Sequence, residues 1–332
     1  MASNEATLMH GIRPHIRSSR TTKEVMTDVV IALIPAFLGS IYFFGVKSII
    51  LVLASVTACA LSEYLWQKLR KEQITVGDCS SIVTGMLLAF NFPVTTPLWI
   101  VLVASVFSII IVKQLFGGIG NNFANPALIG RAIIMLLWPG NIAQYITTNH
   151  SNTDAISSAT VLSLLKSGQE IADYTYLDMF IGNIPGALGE TSKLLLLLGF
   201  LYLCYRQVVN LGASITYLIT VVAITFVFGK NGFFTGDILT NLLGGGLILG
   251  ACFMITDYPS VSPRVKVAIA FVAGLVTAGI RIWGILPEGV CFGILVGNCL
   301  SGFLDRVIKP HIYGVGVKKN FKKIYEIKER DM

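Results

Sequence analysis

The stretch VTGMLLAFNFPVTTPLW, from Val83 to Trp99, ends a short apolar run with two prolines four residues apart. The same spacing recurs in TDYPSVSPRV, so that Pro93 and Pro97 in the first half of the chain match Pro259 and Pro263 in the second. Proline removes a backbone donor and restricts the preceding residue, and such backbone is tolerated inside a membrane only where protein or a wet cavity satisfies it. The two stretches therefore predict helix breaks at equivalent places in two halves of one fold.

The composition indicates a membrane protein. Of the 332 residues, 54% are hydrophobic and 13% are charged, with a mean hydropathy of +0.73, whereas soluble domains carry about 25% charge. The net charge of +7 comes from basic residues at the chain ends and in short loops between apolar runs, which is typical of a topology signal. We expect one domain embedded in a lipid membrane and no nucleic-acid partner.

Apolar runs near the length that spans a hydrocarbon core predict ten helices. The third is short, and the eighth is interrupted by Gly244, Gly245, Gly246 and Gly250. Such segments at matching positions indicate two repeats, and five helices per repeat force the second to be inverted. The expected fold class is an all-α integral membrane protein of about ten transmembrane helices in two inverted five-helix repeats, with broken third and eighth helices. The predicted helices are 24–45, 47–69, 79–92, 97–116, 124–138, 192–205, 208–229, 238–256, 265–284 and 287–305.

Lysine and arginine mark alternate ends of these helices and so indicate the orientation. The basic ends lie at Arg13 to Lys23, Lys68 to Lys71, Arg206, Arg264 to Lys266 and Arg306 to Arg330, which we assign to the cytoplasm. The polar segment between the repeats then lies on the opposite side. The expected division is a basic N-terminus (1–23), a first membrane repeat (24–138), an extracytoplasmic loop (139–191), a second membrane repeat (192–305) and a basic tail (306–332).

Metal and dinucleotide sites have little support in the sequence. The six cysteines show no C-x-x-C spacing and the four histidines lie near the termini or in loops, so we expect neither an iron–sulfur nor a zinc site. The glycines of GGIGNNFANPALIGRA, from Gly117 to Ala132, follow a membrane helix and lack the G-x-G-x-x-G spacing of a Rossmann turn. We interpret them as a flexible turn into a helix that begins at Asn125 and Pro126.

Four motifs, in this order, resemble those of one membrane protein family. They are VTGMLLAFNFPVTTPLW, GGIGNNFANPALIGRA, DAISSAT (Asp154 to Thr160) and TDYPSVSP. Together they resemble the D subunit of the Rnf complex and its close relative, the B subunit of the Na+-translocating NADH:quinone oxidoreductase. The resemblance covers nearly all of the membrane part, and the length of 332 residues fits the Rnf subunit better.

The resemblance implies a covalent flavin on Thr160. In that family the motif similar to DAISSAT carries FMN on its last threonine, through a phosphoester bond made by a flavin transferase. Small neighbours, Ser157, Ser158 and Ala159, would let the hydroxyl reach the flavin phosphate, although Ser158 stands where the family commonly has glycine. Asp154 would offer a carboxylate to a metal-dependent transferase. The alternative is a helix start, since serine and threonine cap helices well, and the two interpretations are compatible.

Arg131 is a candidate for a further site. It lies in a predicted membrane helix, where a charge is costly and is by default a functional hypothesis. It could form a structural pair with Glu63 or Asp78. It could instead bind an electron-rich ring, together with Asn125, and the resemblance is compatible with a second, non-covalent riboflavin or FMN.

Three carboxylates are candidates for an ion path. Asp78 precedes the short third helix and Asp257 follows the broken eighth helix, so the two occupy equivalent places in the repeats. Carboxylates beside exposed carbonyl groups are the hard oxygen ligands that a Na+ or H+ path uses, although both could simply cap helix ends. Glu288, at the start of the tenth helix, is a further candidate.

The resemblance implies an electron relay, with no catalytic residue of its own, inside a larger enzyme. The Rnf complex couples electron transfer between reduced ferredoxin and NAD+ to Na+ or H+ movement. The implied partners are its other membrane and peripheral subunits, including a second flavin-carrying subunit and iron–sulfur subunits. The expected location is a bacterial or archaeal cytoplasmic membrane, with both termini in the cytoplasm and Thr160 outside. The alternatives are a flavin-free small-solute channel of the inverted-repeat type, the related B subunit and a purely structural anchor.

Overall fold

The computed structural model describes residues 20–146, 157–168, 174–229, 232–256 and 262–308, which are mainly helical. Of the predicted site residues, Asp154 and Asp257 lie outside the described ranges, and only the backbone of Ser157 and Ser158 is described. The first half comprises α1 (Thr22–Phe44), α2 (Val46–Arg70), α3 (Ser80–Phe90), α4 (Leu98–Phe107), which continues as π-helix over Ser108–Gln114, and α5 (Pro126–Leu137).

The connection between the halves contains short elements. They are α6 (Pro139–Ile142), β1 (Tyr145–Ile146), β2 (Ser157–Ser158), α7 (Val161–Ser167) and α8 (Tyr176–Ile181). The second half comprises α9 (Lys193–Tyr205), α10 (Leu211–Val227), β3 (Phe228–Gly229), β4 (Gly232–Phe233), α11 (Ile238–Leu243), α12 (Leu247–Leu249), which continues as π-helix over Gly250–Met254, α13 (Pro263–Trp283) and α14 (Val290–Val307). The strands form two antiparallel pairs, β1 with β2 and β3 with β4.

The expectation of an all-α integral membrane protein is confirmed. Four helices are long and apolar enough to cross a membrane: α1, α2, α13 and α14. Shorter apolar helices lie at α3, α4 with its π-helical extension, α5, α9 and α10. Helical structure therefore occurs at each of the ten predicted positions, including the interrupted segment that α11 and α12 form.

The predicted proline and glycine breaks coincide with helix boundaries at several positions, whereas Pro259 lies outside the described residues. Pro97 is the N-cap of α4 and Pro263 is the first residue of α13, because proline fits a helix start, where its missing N–H costs nothing. The eighth helix breaks at Gly244–Gly246, between α11 and α12. The prediction that Gly250 also interrupts this helix is wrong, because the backbone continues there as a π-helical turn.

The two halves meet along α1 and α9, the first helix of each half. A side chain at Gly199 would collide with the carbonyl oxygen of Ala32, and one at Gly39 would collide with Leu195. Small residues allow helix backbones to approach closely where lipid offers no hydrophobic force between helices. This crossing fixes the relative position of the halves and brings the loops that follow α5 and precede α9 towards one end of the bundle.

Contacts between helix ends define two ends of the bundle. At one end Arg206 bonds Asp28 at 3.0 Å, and Arg20 donates to the carbonyl of Arg206. At the other end Trp99 packs against Trp138, with ring centroids 5.2 Å apart. Arg20 and Arg206 lie in the basic segments that the sequence assigns to one side of the membrane, whereas the second end contains the connection between the halves. We call these the basic end and the connection end.

Candidate functional site

Helix α5 brings Arg131 into the centre of the molecule. Asn125 caps the helix by accepting bonds from the backbone N–H groups of Ala127 and Leu128, at 2.9 and 3.3 Å, and Pro126 occupies the first position. The predicted helix start at these residues is confirmed. Arg131 follows on the second turn and is only 3% exposed, so its charge must be satisfied by protein groups.

Four side chains form what we call the central cluster: Asn91, Arg131, Glu190 and Glu288. The Arg131 Nη1 atom donates to Asn91 Oδ1 at 2.6 Å and to Glu190 Oε1 at 3.0 Å, and Nη2 donates to Glu288 Oε2 at 2.9 Å. The cluster joins α5 of the first half, the connection between halves and the loop before α14. A guanidinium suits this role because its fork of donors can serve several acceptors at once.

The glycines between α11 and α12 let both carboxylates approach the backbone. The N–H of Gly246 donates to Glu288, and a β-carbon at this position would lie 2.6 Å from Glu190 Oε1 and 2.9 Å from Glu288 Oε1. Gly245 adopts a φ of 64°, in the left-handed region that favours glycine. The interruption of the eighth helix is therefore the place where the chain receives the two carboxylates.

Glu190 is held by backbone pairing with the end of α3. Leu188 and Gly189 donate their N–H groups to the carbonyl oxygens of Phe92 and Phe90, both at 3.0 Å. Lys193, itself 1% exposed, donates to the carbonyl oxygen of Glu190. The carboxylates of Glu190 and Glu288 are thus matched in number by the cations of Arg131 and Lys193.

Thr160 is the N-cap of α7. Its hydroxyl oxygen accepts a bond from the backbone N–H of Ser163 at 3.3 Å, so the helix start that we considered as an alternative is present. Strand β2 immediately precedes it and pairs with β1, with Ser158 opposite Tyr145 and Ser157 opposite Ile146. The segment that carries Thr160 is thereby fixed to the chain just after α5 and α6, while Ala159 is exposed.

Two cavities flank Thr160 and α7 at the connection end. A small one of about 40 Å³ is lined by Thr160, Glu190, Lys193, Gly245 and Glu288, among others, and so links Thr160 to the central cluster. A larger one of about 680 Å³ lies beside it and shares Leu162 and Pro287 in its wall. Ligand pockets commonly measure about 300–1,000 Å³, so the second cavity has the size of a cofactor site.

Aromatic rings and two cations line the larger cavity, which we call the α7 cavity. Phe228, Phe233 and Trp283 form one wall, with the ring centroids of Phe228 and Trp283 5.2 Å apart. Lys166 of α7 donates to the carbonyl oxygens of Leu286 and Ile280, at 2.6 and 3.3 Å, and burial lowers the pKa of its amine. Arg281 of α13 is the second cation.

The expected pairing of Arg131 with Glu63 or Asp78 is wrong. Glu63 instead bonds Lys113 at 2.8 Å in a second buried cluster, which forms because Lys113 projects from the π-helical end of α4 towards α2. Asp78 accepts bonds from the N–H and hydroxyl groups of Ser80, the first residue of α3, whose N-cap is Cys79.

Asn125 and Arg131 lie in different polar environments, although we expected them to bind one ring together. Asn125 lines a cavity of about 40 Å³ with Ser80 and Lys113, whereas Arg131 is bonded within the central cluster. Glu288, proposed from sequence for an ion path, lies in that cluster instead of near Asp78. The structure therefore separates residues that one helix places only two turns apart.

Sequence reasoning missed Glu190, Lys193 and Arg281 as site residues. Glu190 and Lys193 flank the start of α9, where charges normally face water, and Arg281 stands at the end of a long apolar helix. The available signal was the charge of Arg281 within four residues of the apolar end of α13. Their burial depends on how the connection folds back onto α3, which no local pattern encodes.

The fold and the site define a class of protein, an integral membrane protein of helices whose halves meet at a buried ion-paired cluster beside a cofactor-sized cavity. Comparison with known proteins gives the family: residues 10–314 match the NQR2, RnfD, RnfE family, and the chain belongs to it.

Similar proteins align over almost their full length. The chain is 41% identical to the D subunit of the Na(+)-translocating ferredoxin:NAD(+) oxidoreductase complex of Acetobacterium woodii, over 96% of this chain and 99% of that protein. It is 36% identical to the D subunit of the proton-translocating ferredoxin:NAD(+) oxidoreductase complex of Clostridium ljungdahlii, over 91% and 94%. It is 28% identical to the D subunit of the ion-translocating oxidoreductase complex of Shigella boydii, over 91% and 97%.

Proposed function

We propose that this chain is the D subunit of an Rnf-type complex, relaying electrons between reduced ferredoxin and NAD+ while the complex moves Na+ or H+ across the membrane. The similarity to subunits of that name over nearly their whole length supports this role. The chain would act together with other membrane and peripheral subunits, including a second flavin-carrying subunit and iron–sulfur subunits. It forms one part of an oxidoreductase and not a complete enzyme.

The relay would use an FMN bound covalently to Thr160 by a flavin transferase. The observation that carries this proposal is the position of Thr160, which caps α7 beside a cavity of about 680 Å³. A flavin exchanges one or two electrons, and the protein's contribution is its position and electrostatic environment. The aromatic wall and the cations of the α7 cavity fit an isoalloxazine ring in both size and chemistry.

A second, non-covalent riboflavin or FMN finds less room. The cavity beside Asn125 measures about 40 Å³, far below the size of ligand pockets, and Arg131 already bonds two carboxylates. These residues do not fit a flavin as they are packed. A second flavin in this region would require α3 and the turn before α5 to separate.

We also propose that the halves are inverted repeats and that Thr160 lies outside the cytoplasm. The last helix of each half packs a glycine against the helix before it: Gly130 meets Ala104 and Ser108, and Gly293 meets Ala273 and Thr277. Arg20 and Arg206 lie at the basic end, which we place in the cytoplasm because cytoplasmic loops carry excess lysine and arginine. Electrons from a cytoplasmic donor would then cross the membrane to reach Thr160.

An ion path through this subunit stays a proposal without geometric support at Asp78, whose carboxylate is bonded to Ser80 at the start of α3. Glu288 is better placed, since it lies between the central cluster and the small cavity that Thr160 also lines. The flavin-free channel is the weaker alternative, because ion-paired side chains that are 3–4% exposed, Arg131 and Glu190, fill the junction of the halves.

Mass spectrometry of the Thr160 peptide tests the flavin proposal. In a chain coexpressed with its transferase, we expect a peptide heavier by one esterified FMN and an in-gel flavin fluorescence that survives denaturation. Thr160→Asn is the sharpest comparison, because asparagine caps helices as well as threonine but offers no hydroxyl to esterify. An unmodified wild-type peptide, or a fluorescent band in Thr160→Asn, would refute the assignment.

A further inference from the structure

Arg281 carries a buried charge that no carboxylate contacts directly within the described residues. It is 7% exposed, and its Nη1 and Nη2 atoms donate to the carbonyl oxygens of Asn241 and Gly244, at 2.5 and 3.2 Å. Within the described ranges, its Nε atom has no hydrogen-bond partner and no carboxylate oxygen lies within 4 Å. Burying a cation without a counter-charge costs several kcal/mol. Such a residue in a membrane protein therefore indicates a function.

Glu288 and Glu190 act electrostatically on Arg281, but both already bond Arg131, and Asp237 in the wall of the α7 cavity is engaged as well. Glu288 bonds Arg131 and the N–H of Gly246. Asp237 accepts from the backbone N–H groups of Leu239 and Thr240 as the cap of α11. Arg131 bonds two carboxylates directly, whereas Arg281 bonds only backbone carbonyl oxygens among the described residues and so has capacity left for a ligand.

The environment of Arg281 selects the chemistry of that ligand. The guanidinium lines the α7 cavity together with the aromatic side chains of Phe228, Phe233 and Trp283. A planar aromatic molecule can stack on these aromatic side chains. If it also presents hydrogen-bond acceptors and can carry negative charge at one edge, it can bond the guanidinium as well. A phosphate would leave the aromatic wall unused, and an aliphatic chain would leave the guanidinium unpaired.

We infer that Arg281 binds the carbonyl edge of an isoalloxazine ring in the α7 cavity and raises its reduction potential. The inference rests on the proposed flavin at Thr160, since Leu162, Leu165 and Lys166 of the helix that Thr160 caps line the same cavity. Two-electron reduction of a flavin with uptake of one proton leaves a negative charge on the pyrimidine edge of the ring. A cation held there stabilises the reduced form more than the oxidised form.

The test is a redox titration of the full chain, purified in detergent after coexpression with the transferase, with dithionite as the electron donor. In Arg281→Gln we expect the reduced flavin to lose at least tenfold in stability relative to the oxidised flavin, which lowers the two-electron potential by about 30 mV or more. Arg281→Lys keeps the positive charge but loses the forked N–H donors of the guanidinium, so we expect the two-electron potential to fall by a smaller amount. Arg306→Gln, an exposed arginine near the end of α14, should leave the potential unchanged.

The outcomes separate this inference from the proposal on which it rests. A wild-type Thr160 peptide without FMN would refute the proposed function. A flavinylated Arg281→Gln chain, or a flavinylated Arg281→Lys chain if the former does not fold, with an unchanged potential would refute the role of Arg281 alone. Binding of free riboflavin to the Thr160→Asn chain tests whether the cavity holds an isoalloxazine ring that is not covalently attached. Binding that becomes tenfold weaker when Arg281→Gln is added supports the α7 cavity as the site of the ring. Equal binding with and without Arg281→Gln contradicts it.

Discussion

Removal of Arg131 alone from the central cluster should destabilise the protein more than its removal together with the charge of Glu288. Arg131 and Glu190 have side chains that are 4% and 5% exposed, and the side chain of Glu288 is 14% exposed. At about 3 Å and an effective dielectric constant of about 20, each pair attracts by about 5 kcal/mol, which the desolvation of the charges largely offsets. Arg131→Met leaves two carboxylates buried without their shared partner, so we expect the free energy of unfolding to fall by about 3–5 kcal/mol.

The double variant Arg131→Met/Glu288→Gln should recover at least about 2 kcal/mol of that loss, because the remaining carboxylate, Glu190, is then matched by the buried cation of Lys193. The assay is denaturation of the purified chain in detergent by increasing sodium dodecyl sulfate, followed by tryptophan fluorescence. Arg70→Gln is the control, since the pair with Glu72 has side chains 61% and 47% exposed and should contribute less than about 1 kcal/mol. A double variant as unstable as Arg131→Met would refute the reasoning from unpaired charge.

Three further predictions concern the other contacts. Lys113→Met should lower the free energy of unfolding by about 3–5 kcal/mol, because Glu63 stays buried without a cation, and addition of Glu63→Gln should restore part of it in the same assay. Gly246→Ala should cost about 1–3 kcal/mol, since a β-carbon would lie 2.6 Å from Glu190, whereas Gly302→Ala meets no neighbour within 4 Å and should cost no stability. Thr160→Val should lower the local stability of α7 by about 1 kcal/mol, because the N–H of Ser163 loses its acceptor, and amide hydrogen exchange at Ser163 should become faster. Thr160→Asn should lose much less stability and leave this exchange rate unchanged, because asparagine also caps helices.

The helical framework follows from the sequence because its signals are local. Apolar runs of membrane-spanning length place the helices, and Pro97, Asn125 and Pro263 mark where three of them begin. The cap of α7 at Thr160 was also foreseeable, since a threonine before an apolar run is a local pattern. The π-helical turns after α4 and α12 carry no comparable sequence signal, so the expectation that Gly250 breaks its helix failed.

The partners of the charged residues could not be read from the sequence. Arg131 was identifiable as a charge inside a membrane helix, but its partners Glu190 and Glu288 are 59 and 157 residues distant along the chain. Glu63 and Asp78 were plausible alternatives because they lie in the same half. Which carboxylate reaches Arg131 depends on the crossing of α1 with α9 and on the backbone pairing of Leu188 and Gly189 with the end of α3.

The sequence by itself determined the class of protein, the positions of the helices and the one threonine that the resemblance marks for a flavin. Only the tertiary structure decided that carboxylates bond Arg131 directly but not Arg281, and that Thr160 lines a small cavity with Glu190 and Glu288. The physical reason is that hydrophobicity and capping act over a few residues and leave a local record. The partners of a buried charge are distant from it in the chain, so these ion pairs form only when the two halves have packed together.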